Sequence, residues 1–348
     1  MLPSEHAIFR QSRKFAAEIR WLSWWHLLST LAILTGLVAG MCVAEAWWIR
    51  LPLSLVTGLV VVRMFILYHD FLHGAILRRS HLARWLLCSY GLLVLNPPSI
   101  WKRSHDHHHR NVGKAFGASI GSYPLMTTEA YAASTRAERW GYAASRHPVT
   151  VACGYATVFL YGMCLRSLLA NPRKHVDSAV ALALHATVLI GLAMVSPALM
   201  AFVVLLPMTV AGALGAYLFY AQHNFPGVVV LPRSEWTYCA AALRTSGFIR
   251  MGRLARWFTG NIGFHHVHHV NAAIPFYRLP EAMREIVALQ APGMTSLRLA
   301  DIRRCFGLKL WDSEAGCMTG WERHRSKPRR SKLRPWKLGR SKLASMTD

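Results

Sequence analysis

Three clusters of histidine carry the clearest chemical signal in this sequence. Of 18 histidines, ten lie in the segments HDFLH at 69–73, HDHHH at 105–109 and HHVHH at 265–269, here called the first, second and third clusters. Imidazole binds iron, copper, nickel and zinc alike, so the clusters indicate metal binding without choosing the metal. One cluster alone is weak evidence, because a surface patch can have the same spacing, but three together are much stronger.

The spacing within each cluster predicts which imidazoles share a helix face. Positions i and i+4 lie on one face, which pairs His69 with His73. The second and third clusters both contain the spacing HxxHH, whose positions lie within about a third of the helix circumference. We therefore expect three imidazoles of each cluster to converge on one point: His105, His108 and His109 in the second, and His265, His268 and His269 in the third. The remaining members, His107 and His266, are predicted to point elsewhere, as outer hydrogen-bonding partners or solvated side chains.

One further histidine, His223, stands alone in FYAQHNFPG after an apolar segment. A lone histidine at a helix end can be a cap or an interfacial residue, and on spacing alone this interpretation and metal binding remain equally open. The clusters supply eight histidines in ligating phase, or nine with His223, whereas one catalytic zinc uses about three protein ligands. The count therefore fits two metal ions. The seven cysteines form no CxxC pair and none stands beside the clusters, which disfavours zinc-finger, iron–sulfur and blue-copper sites.

The composition indicates that a membrane surrounds the elements that position these histidines. The chain of 348 residues is 53% hydrophobic, only 16% charged and contains 13 Trp, whereas a soluble chain has about 25% charged residues. Its formal charge is +24, but the basic residues flank or follow apolar segments instead of alternating with aromatic residues on one compact domain. This pattern favours anionic lipid headgroups over nucleic acid as a partner.

Apolar segments of about the length that crosses a bilayer predict the fold. Segments 25–46 and 51–67 form one helical hairpin, and 179–195 and 198–220 form a second. The shorter segments 86–98 and 150–165 are predicted not to cross, which leaves all three clusters on the basic, cytoplasmic side. We therefore expect an all-α integral membrane protein with about four spans and a cytoplasmic cap of helices that carries a histidine-rich site. A basic N-terminal segment at 1–24 precedes the main domain at 25–315, and a basic tail at 316–348, predicted to be disordered or lipid-associated, follows it.

The membrane setting suggests which metal the clusters bind. A site beside lipid acts on a lipid-like substrate, whose C–H bonds are unactivated. Oxidation of such bonds needs dioxygen and a redox metal, and zinc has no redox chemistry. These arguments favour iron.

The motifs resemble those of the membrane fatty acid desaturases, which have three histidine boxes of the form HxxxH, HxxHH and HxxHH. Beyond the boxes, NIGFHHVHHVNAAIPFYRLPEA at 261–282 is similar to the third-box region of the acyl-lipid omega-6 (delta-12) type. QHNF at 222–225, RHP at 146–148 and LWD at 310–312 resemble secondary landmarks of that group. The resemblance covers roughly residues 25–315. The second cluster departs from the pattern by its additional central histidine, and Asn224 followed by Phe-Pro-Gly departs from it after His223.

The resemblance implies a centre of two non-haem iron ions and the chemistry of a desaturase. By position, the ligands are His69, His73, His105, His108, His109, His223, His265, His268 and His269. Dioxygen is the co-substrate, a fatty acyl lipid or acyl thioester receives a cis double bond, and an external ferredoxin or cytochrome supplies electrons. Asp70 and Asp106, each next to a ligand, are expected to accept Nδ1–H bonds that orient imidazoles, with helix solubilisation or capping as the alternative.

Three other functions share these features. A di-iron hydroxylase or ketolase acting on an alkane, sterol or carotenoid would use the same ligands. A membrane hydrolase would hold zinc and need no dioxygen. A metal transporter or sensor would place its histidines within or across the bilayer, whereas the predicted topology places them beside the spans. If the chain is bacterial, the expected location is the inner membrane, with the site on the cytoplasmic face.

Overall fold

The computed structural model describes residues 5–114 and 122–321, and these residues are mostly helical. Turns of 3-10 helix follow α1 at Arg13–Ala16 and α16 at Val287–Leu289, and π-helical stretches precede α9 at Tyr155–Leu165 and α12 at Ala201–Leu205. The α-helices are α1 Glu5–Ser12, α2 Arg20–Val43, α3 Trp47–His73, α4 His81–Leu93, α5 Pro98–Asn111, α6 Thr128–Ala133, α7 Arg136–Ser145, α8 Pro148–Ala152, α9 Arg166–Ala170, α10 Val176–Val195, α11 Pro197–Met200, α12 Leu206–Ala221, α13 Tyr238–Thr245, α14 Arg253–Phe258, α15 His265–Val270, α16 Leu279–Glu285 and α17 Leu299–Gly307.

Four helical segments are long and apolar enough to cross a membrane: Arg20–Val43, Trp47–His73, Val176–Val195 and Pro197–Ala221. The predicted all-α fold with two hairpins is therefore confirmed. The first hairpin is longer than its apolar segments indicated, because α3 continues without a break through His73. The first histidine cluster accordingly occupies the last turns of a membrane-crossing helix.

The apolar helix Tyr155–Ala170 is shorter than these four segments, and the statement that 150–165 does not cross stays a prediction. It packs directly against α12. A Cβ atom added to Gly154 would lie 2.3 Å from the carbonyl oxygen of Gly212, and one added to Gly212 would lie 2.4 Å from the backbone nitrogen of Tyr155. Only glycine allows this approach of two backbones.

The helix that carries the second cluster is anchored to the start of the second hairpin. Asp177, in the first turn of α10, accepts hydrogen bonds from the backbone nitrogen of Ser99 at 2.8 Å and from its Oγ at 2.6 Å. Ser99 lies in the first turn of α5, where backbone N–H groups have no partner within the helix. The carboxylate therefore accepts a hydrogen bond from an N–H group that has no partner within α5, and it fixes the N-terminus of α5 next to the N-terminus of α10.

Arg63 joins the first hairpin to the segment before the third cluster. It is 3% exposed in the middle of α3, and its Nε donates to Thr30 Oγ1 of α2 at 3.0 Å. Its guanidinium also donates to the carbonyl of Trp257 in α14 and lies 3.1 Å from His26 Nδ1. A cation inside a membrane protein is costly unless its donors are satisfied, so these contacts fix α2, α3 and α14 relative to one another.

Two small sheets stabilise the helical cap. Strand β1 (Phe248–Arg250) pairs in parallel with β2 (Met294–Ser296), and β3 (Leu310–Asp312) pairs antiparallel with β4 (Cys317–Thr319). Strand β4 lies within 316–348, so the ordered fold continues past the predicted start of the tail. Residues 322–348, the greater part of that tail, lie outside the described residues.

Candidate metal centre

The structure gathers the nine predicted histidine ligands into one cluster of imidazoles. Eight of them form two groups, and within each group the ligand atoms all lie within 4.8 Å of one another. The His69 group consists of His69, His73, His105 and His268. The His223 group consists of His108, His223, His265 and His269.

His109 is the ninth member and lies against the His69 group. Its Nε2 is 3.1 Å from His105 Nε2 and 3.1 Å from His268 Nε2. Its ring also stacks on His269 of the other group, with ring centroids 4.2 Å apart. His109 therefore lies between the two groups and contacts both.

Each HxxHH cluster is divided between the two groups, which corrects the expectation that its three imidazoles converge on one point. On α5, His105 and His109 face the His69 group, while His108 faces the His223 group. On α15 the roles are exchanged: His265 and His269 belong to the His223 group and His268 to the other. The reason is helical phase, because position i+4 lies about 40° to one side of position i and i+3 about 60° to the other side.

The imidazole nitrogens are spaced as ligands of a metal ion are. His223 Nε2 lies 2.9 Å from both His108 Nε2 and His265 Nε2, and His265 Nε2 lies 3.0 Å from His269 Nε2. Two nitrogens bound at right angles to an ion about 2.1 Å away are about 3.0 Å apart. In the His69 group, the buried His73 Nε2 makes no hydrogen bond to any described residue, so it is available to a cation.

Burial keeps these imidazoles in the neutral, metal-binding form. It lowers the pKa of His223 to about 4 and holds the pKa values of His265, His268 and His269 well below their usual range, with further lowering by the neighbouring histidines. Neutral imidazoles present lone pairs, and several lone pairs facing one another are stabilised by a shared cation. The donor set therefore fits two metal ions.

In the His223 group, contacts to surrounding residues orient the rings of His223 and His108, so that Nε2 of each ring faces the metal centre. His223 Nδ1 lies 3.0 Å from the carbonyl oxygen of Thr245, which can only accept, so the proton is on Nδ1 and the lone pair on Nε2. His108 Nδ1 lies 2.5 Å from Ser122 Oγ. Thr245 and Ser122 were missed by the sequence reasoning, because neither is near a cluster in the chain and neither has a sequence signature.

Asp70 lies in the position expected of an orienting carboxylate. It is 1% exposed, and its Oδ1 lies 2.9 Å from His69 Nδ1. Its Oδ2 accepts a hydrogen bond from the backbone nitrogen of Phe276 at 2.7 Å. Phe276 belongs to the segment IPFY that follows the third cluster, so one carboxylate connects the first cluster to the chain beyond the third.

Asp106 does not make the equivalent contact. Its carboxylate is on the outer side of α5, where it forms an ion pair with Lys102 at 2.7 Å and a hydrogen bond to no imidazole of the described residues. The expected orienting role therefore does not fit its position, and the alternative of a solubilising residue on the helix surface does. The sequence places Asp70 and Asp106 identically, each directly after a histidine, and only the direction of the helix face separates them.

Neither His107 nor His266 belongs to the two groups. His266 is fully buried and turns away from the cluster, with its Nε2 3.0 Å from the carbonyl oxygen of Leu289. This is the hydrogen-bonding position expected of it. Trp101 is an unpredicted neighbour: its ring stacks on His105 with centroids 4.4 Å apart. Trp101 precedes His105 by four residues, and this helical spacing could have predicted the contact between the two rings.

The sequence is similar to those of known proteins. The sequence profile of a family described as Fatty acid desaturase matches residues 45–297. The chain is 27% identical to a Fatty acid desaturase of Bacillus subtilis (strain 168) over 301 residues, which cover 83% of this chain and 82% of the relative. It is 24% identical to an sn-1 oleoyl-lipid 12-desaturase of Synechocystis sp. over 240 residues, which cover 67% of each chain.

Proposed function

The chain belongs to the fatty acid desaturase family, and from this premise we propose that it uses dioxygen to introduce a cis double bond into the acyl chain of a lipid or thioester. The observation that carries the proposal is the pair of adjacent imidazole groups, His69, His73, His105 and His268 beside His108, His223, His265 and His269. Two non-haem iron ions bound by these groups and His109 would supply the redox chemistry. Imidazole is compatible with iron, and removal of hydrogen from an unactivated methylene requires a redox metal.

The protein's own residues have three tasks in this reaction. The imidazoles offer neutral nitrogens at fixed positions. Asp70 and the Thr245 carbonyl hold the protons of His69 and His223 on the side away from the centre. Burial of the ligands excludes bulk water, which protects reactive species from side reactions.

The site lies where helices α3 and α12 end, in the last turns of the first of these membrane-crossing segments and just beyond the second. This position lets an acyl chain approach from the lipid while an electron donor approaches from the aqueous side. We assign that side to the cytoplasm, because basic residues accumulate there by the positive-inside rule. The donor is an external ferredoxin or cytochrome.

Expression in a host with a simple lipid profile tests the function. Fatty acids extracted from the membranes are expected to contain a new species two hydrogens lighter, and mass spectrometry then locates its double bond. A gain of oxygen instead would identify a hydroxylase or ketolase. Metal analysis of the purified protein separates iron from the zinc that a hydrolase would contain.

The third cluster provides a matched pair of variants. His268→Ala removes an imidazole of the His69 group and is expected to abolish desaturation while the protein still inserts into the membrane. His266→Ala removes a neighbour that faces Leu289 and is expected to retain part of the activity. Full activity in His268→Ala would refute the proposed ligand set.

A further inference from the structure

A buried arginine, Arg146, lies outside the two imidazole groups, directly after α7. It is 2% exposed and forms an ion pair with no carboxylate of the described residues. Burial of a cation without a counter-ion is costly unless hydrogen bonds satisfy its donors. The partners of its guanidinium therefore indicate the purpose of this residue.

The guanidinium of Arg146 connects segments that are distant in the chain. Its Nη1 donates to the carbonyl oxygen of Pro124 at 2.8 Å. Its Nη2 donates to Asn224 Oδ1 at 2.5 Å and to the carbonyl oxygen of Leu308 at 3.2 Å. The donors of a guanidinium have a fixed planar geometry, so one side chain holds these segments at set positions relative to one another.

Two of the connected segments carry parts of the His223 group. Ser122 lies on the first of them, and its Oγ is 2.5 Å from His108 Nδ1. Asn224 lies on the second and directly follows His223, whose Nε2 is 2.9 Å from His108 Nε2. Arg146 therefore links the segment that orients one imidazole of the group to the segment that supplies another.

The side chain of Asn224 transmits the position of Arg146 to the backbone beside His223. Asn224 is 4% exposed, and its Nδ2 donates to the carbonyl oxygens of Cys305 at 2.7 Å and Leu308 at 3.3 Å. Its Oδ1 accepts from Arg146, so both ends of the amide have partners. Loss of the guanidinium leaves a buried acceptor unsatisfied, which favours a different position of this residue and of its neighbour His223.

Arg146 is itself held from several sides. Its guanidinium carbon lies 5.6 Å from the ring centroid of Tyr142 and 5.1 Å from that of Tyr220, within the range of cation–π attraction. Its carbonyl oxygen accepts a hydrogen bond from Lys309 Nζ at 3.1 Å. Arg146 opens the segment RHP, Asn224 lies in QHNF, and Lys309 precedes LWD. Three segments noted in the sequence thus meet at one side chain.

We propose that Arg146 is a positioning residue of the metal centre, which holds His223 and the partner of His108 where the His223 group binds its ion. The inference rests on the proposed function, because it concerns one ion of the proposed pair. None of the partners of the guanidinium is next to a ligand of the His69 group in the chain. Loss of Arg146 is therefore expected to affect one ion only.

Metal retention tests the proposal. The purified full-length chain is loaded with iron(II) and then equilibrated with chelators of graded affinity. Arg146→Gln is expected to lower the affinity of the His223 group about tenfold, as loss of an outer partner of a metal ligand does, while the ion of the His69 group stays bound. Combination with Asp70→Asn, which weakens the His69 group, is expected to release both ions.

A second variant tests the path from Arg146 to His223. Asn224→Ala is expected to cause the same selective loss as Arg146→Gln. The double variant of Arg146 and Asn224 is expected to lose no more than either single variant, because the two side chains act through one contact. Asn224→Ala decides the question if Arg146→Gln does not yield folded protein.

Two further measurements separate positioning from a general loss of stability. Arg63→Gln removes another buried arginine, whose guanidinium contacts α2 and α14. It is expected to lower the midpoint of thermal unfolding without selective loss of the ion of the His223 group. The visible spectrum of the chain saturated with cobalt(II), which depends on the arrangement of the ligands, is expected to change in Arg146→Gln and to stay the same in Arg63→Gln.

The proposal is overturned if Arg146→Gln, or Asn224→Ala in its place, retains both ions as the unmodified chain does or loses both at the same chelator strength. It is also overturned if the cobalt(II) spectrum does not change, if Arg63→Gln causes the same selective loss, or if the effects of the Arg146 and Asn224 variants add. The proposed function fails separately: Arg146→Gln would then lose one ion as expected, but the unmodified chain would form no double bond in the expression experiment.

Discussion

Replacement of Asp70 by asparagine is expected to weaken metal binding in one group only. The carboxylate faces two donors, His69 Nδ1–H at 2.9 Å and the Phe276 backbone N–H at 2.7 Å. Asparagine has one carbonyl oxygen, and its amide nitrogen is itself a donor, so one of the two N–H groups loses its acceptor. An unsatisfied buried donor costs about 1–3 kcal/mol. Loss of an outer partner of a metal ligand typically lowers affinity about 10–100-fold, which is about the same free energy.

The assay is the metal content of the purified full-length chain, measured by mass spectrometry after equilibration with chelators of graded affinity. Asp70→Asn is expected to lose the ion of the His69 group at a chelator strength that leaves the ion of the His223 group bound. About half of the metal should therefore remain over a window of chelator strength.

Asp106→Asn is the matched control for this experiment. Asp106 also follows a histidine ligand directly, but its carboxylate pairs with Lys102, so the metal content of this variant is expected to be normal. Equal metal retention in Asp70→Asn and the unmodified chain would refute the reasoning, as would an equal loss in Asp106→Asn.

Three further predictions concern the histidines. His223→Ala is expected to release the ion of the His223 group while the ion of the His69 group stays bound, which is the reverse of the effect of Asp70→Asn. The same chelator series measures it. His266→Ala is expected to keep both ions but to lower the free energy of unfolding by about 1–3 kcal/mol, because the carbonyl of Leu289 loses its partner in a buried position; thermal unfolding in detergent checks this, and loss of metal would contradict it. Burial lowers the pKa of both His223 and His266 from 6.5 to about 4, so below pH 6.5 the unfolded chain binds protons that the folded chain does not. The contribution of these two histidines to the stability of the metal-free protein is therefore expected to be constant above pH 6.5 and to fall between pH 6.5 and about 4, by up to about 1.4 kcal/mol per pH unit for each of them; equal pH dependence of the midpoint of thermal unfolding in the unmodified chain and in His266→Ala over this range would contradict it.

Local rules were sufficient for the helices and for the identity of the candidate ligands. The two hairpins follow from the length of apolar segments, because backbone polar groups in lipid must be satisfied within a helix. The HxxHH spacing follows helical geometry, and both segments are helical in the structure. Even His266, the member of its cluster predicted to point elsewhere, does so, because its phase on α15 differs from that of His265 and His269.

Contacts between residues that are distant in the chain could not be predicted from these local rules. His223 could be a cap or a ligand by its local sequence, and its place beside His108 and His265 depends on how α12, α5 and α15 pack. Ser122 and Thr245 complete this group from segments that have no metal-binding signature.

The sequence by itself determined which imidazoles could bind metal, because residue type and helical phase are local properties. Only the tertiary structure decided how they are shared: α5 gives His105 to the His69 group and His108 to the His223 group, and α15 gives His268 to the first and both His265 and His269 to the second. It also decided the roles of two aspartates that look alike in the sequence. Asp70 faces the interior, where an acceptor is needed for His69 and Phe276, and Asp106 faces outward to Lys102, because the environment of a side chain is set by the elements packed around it.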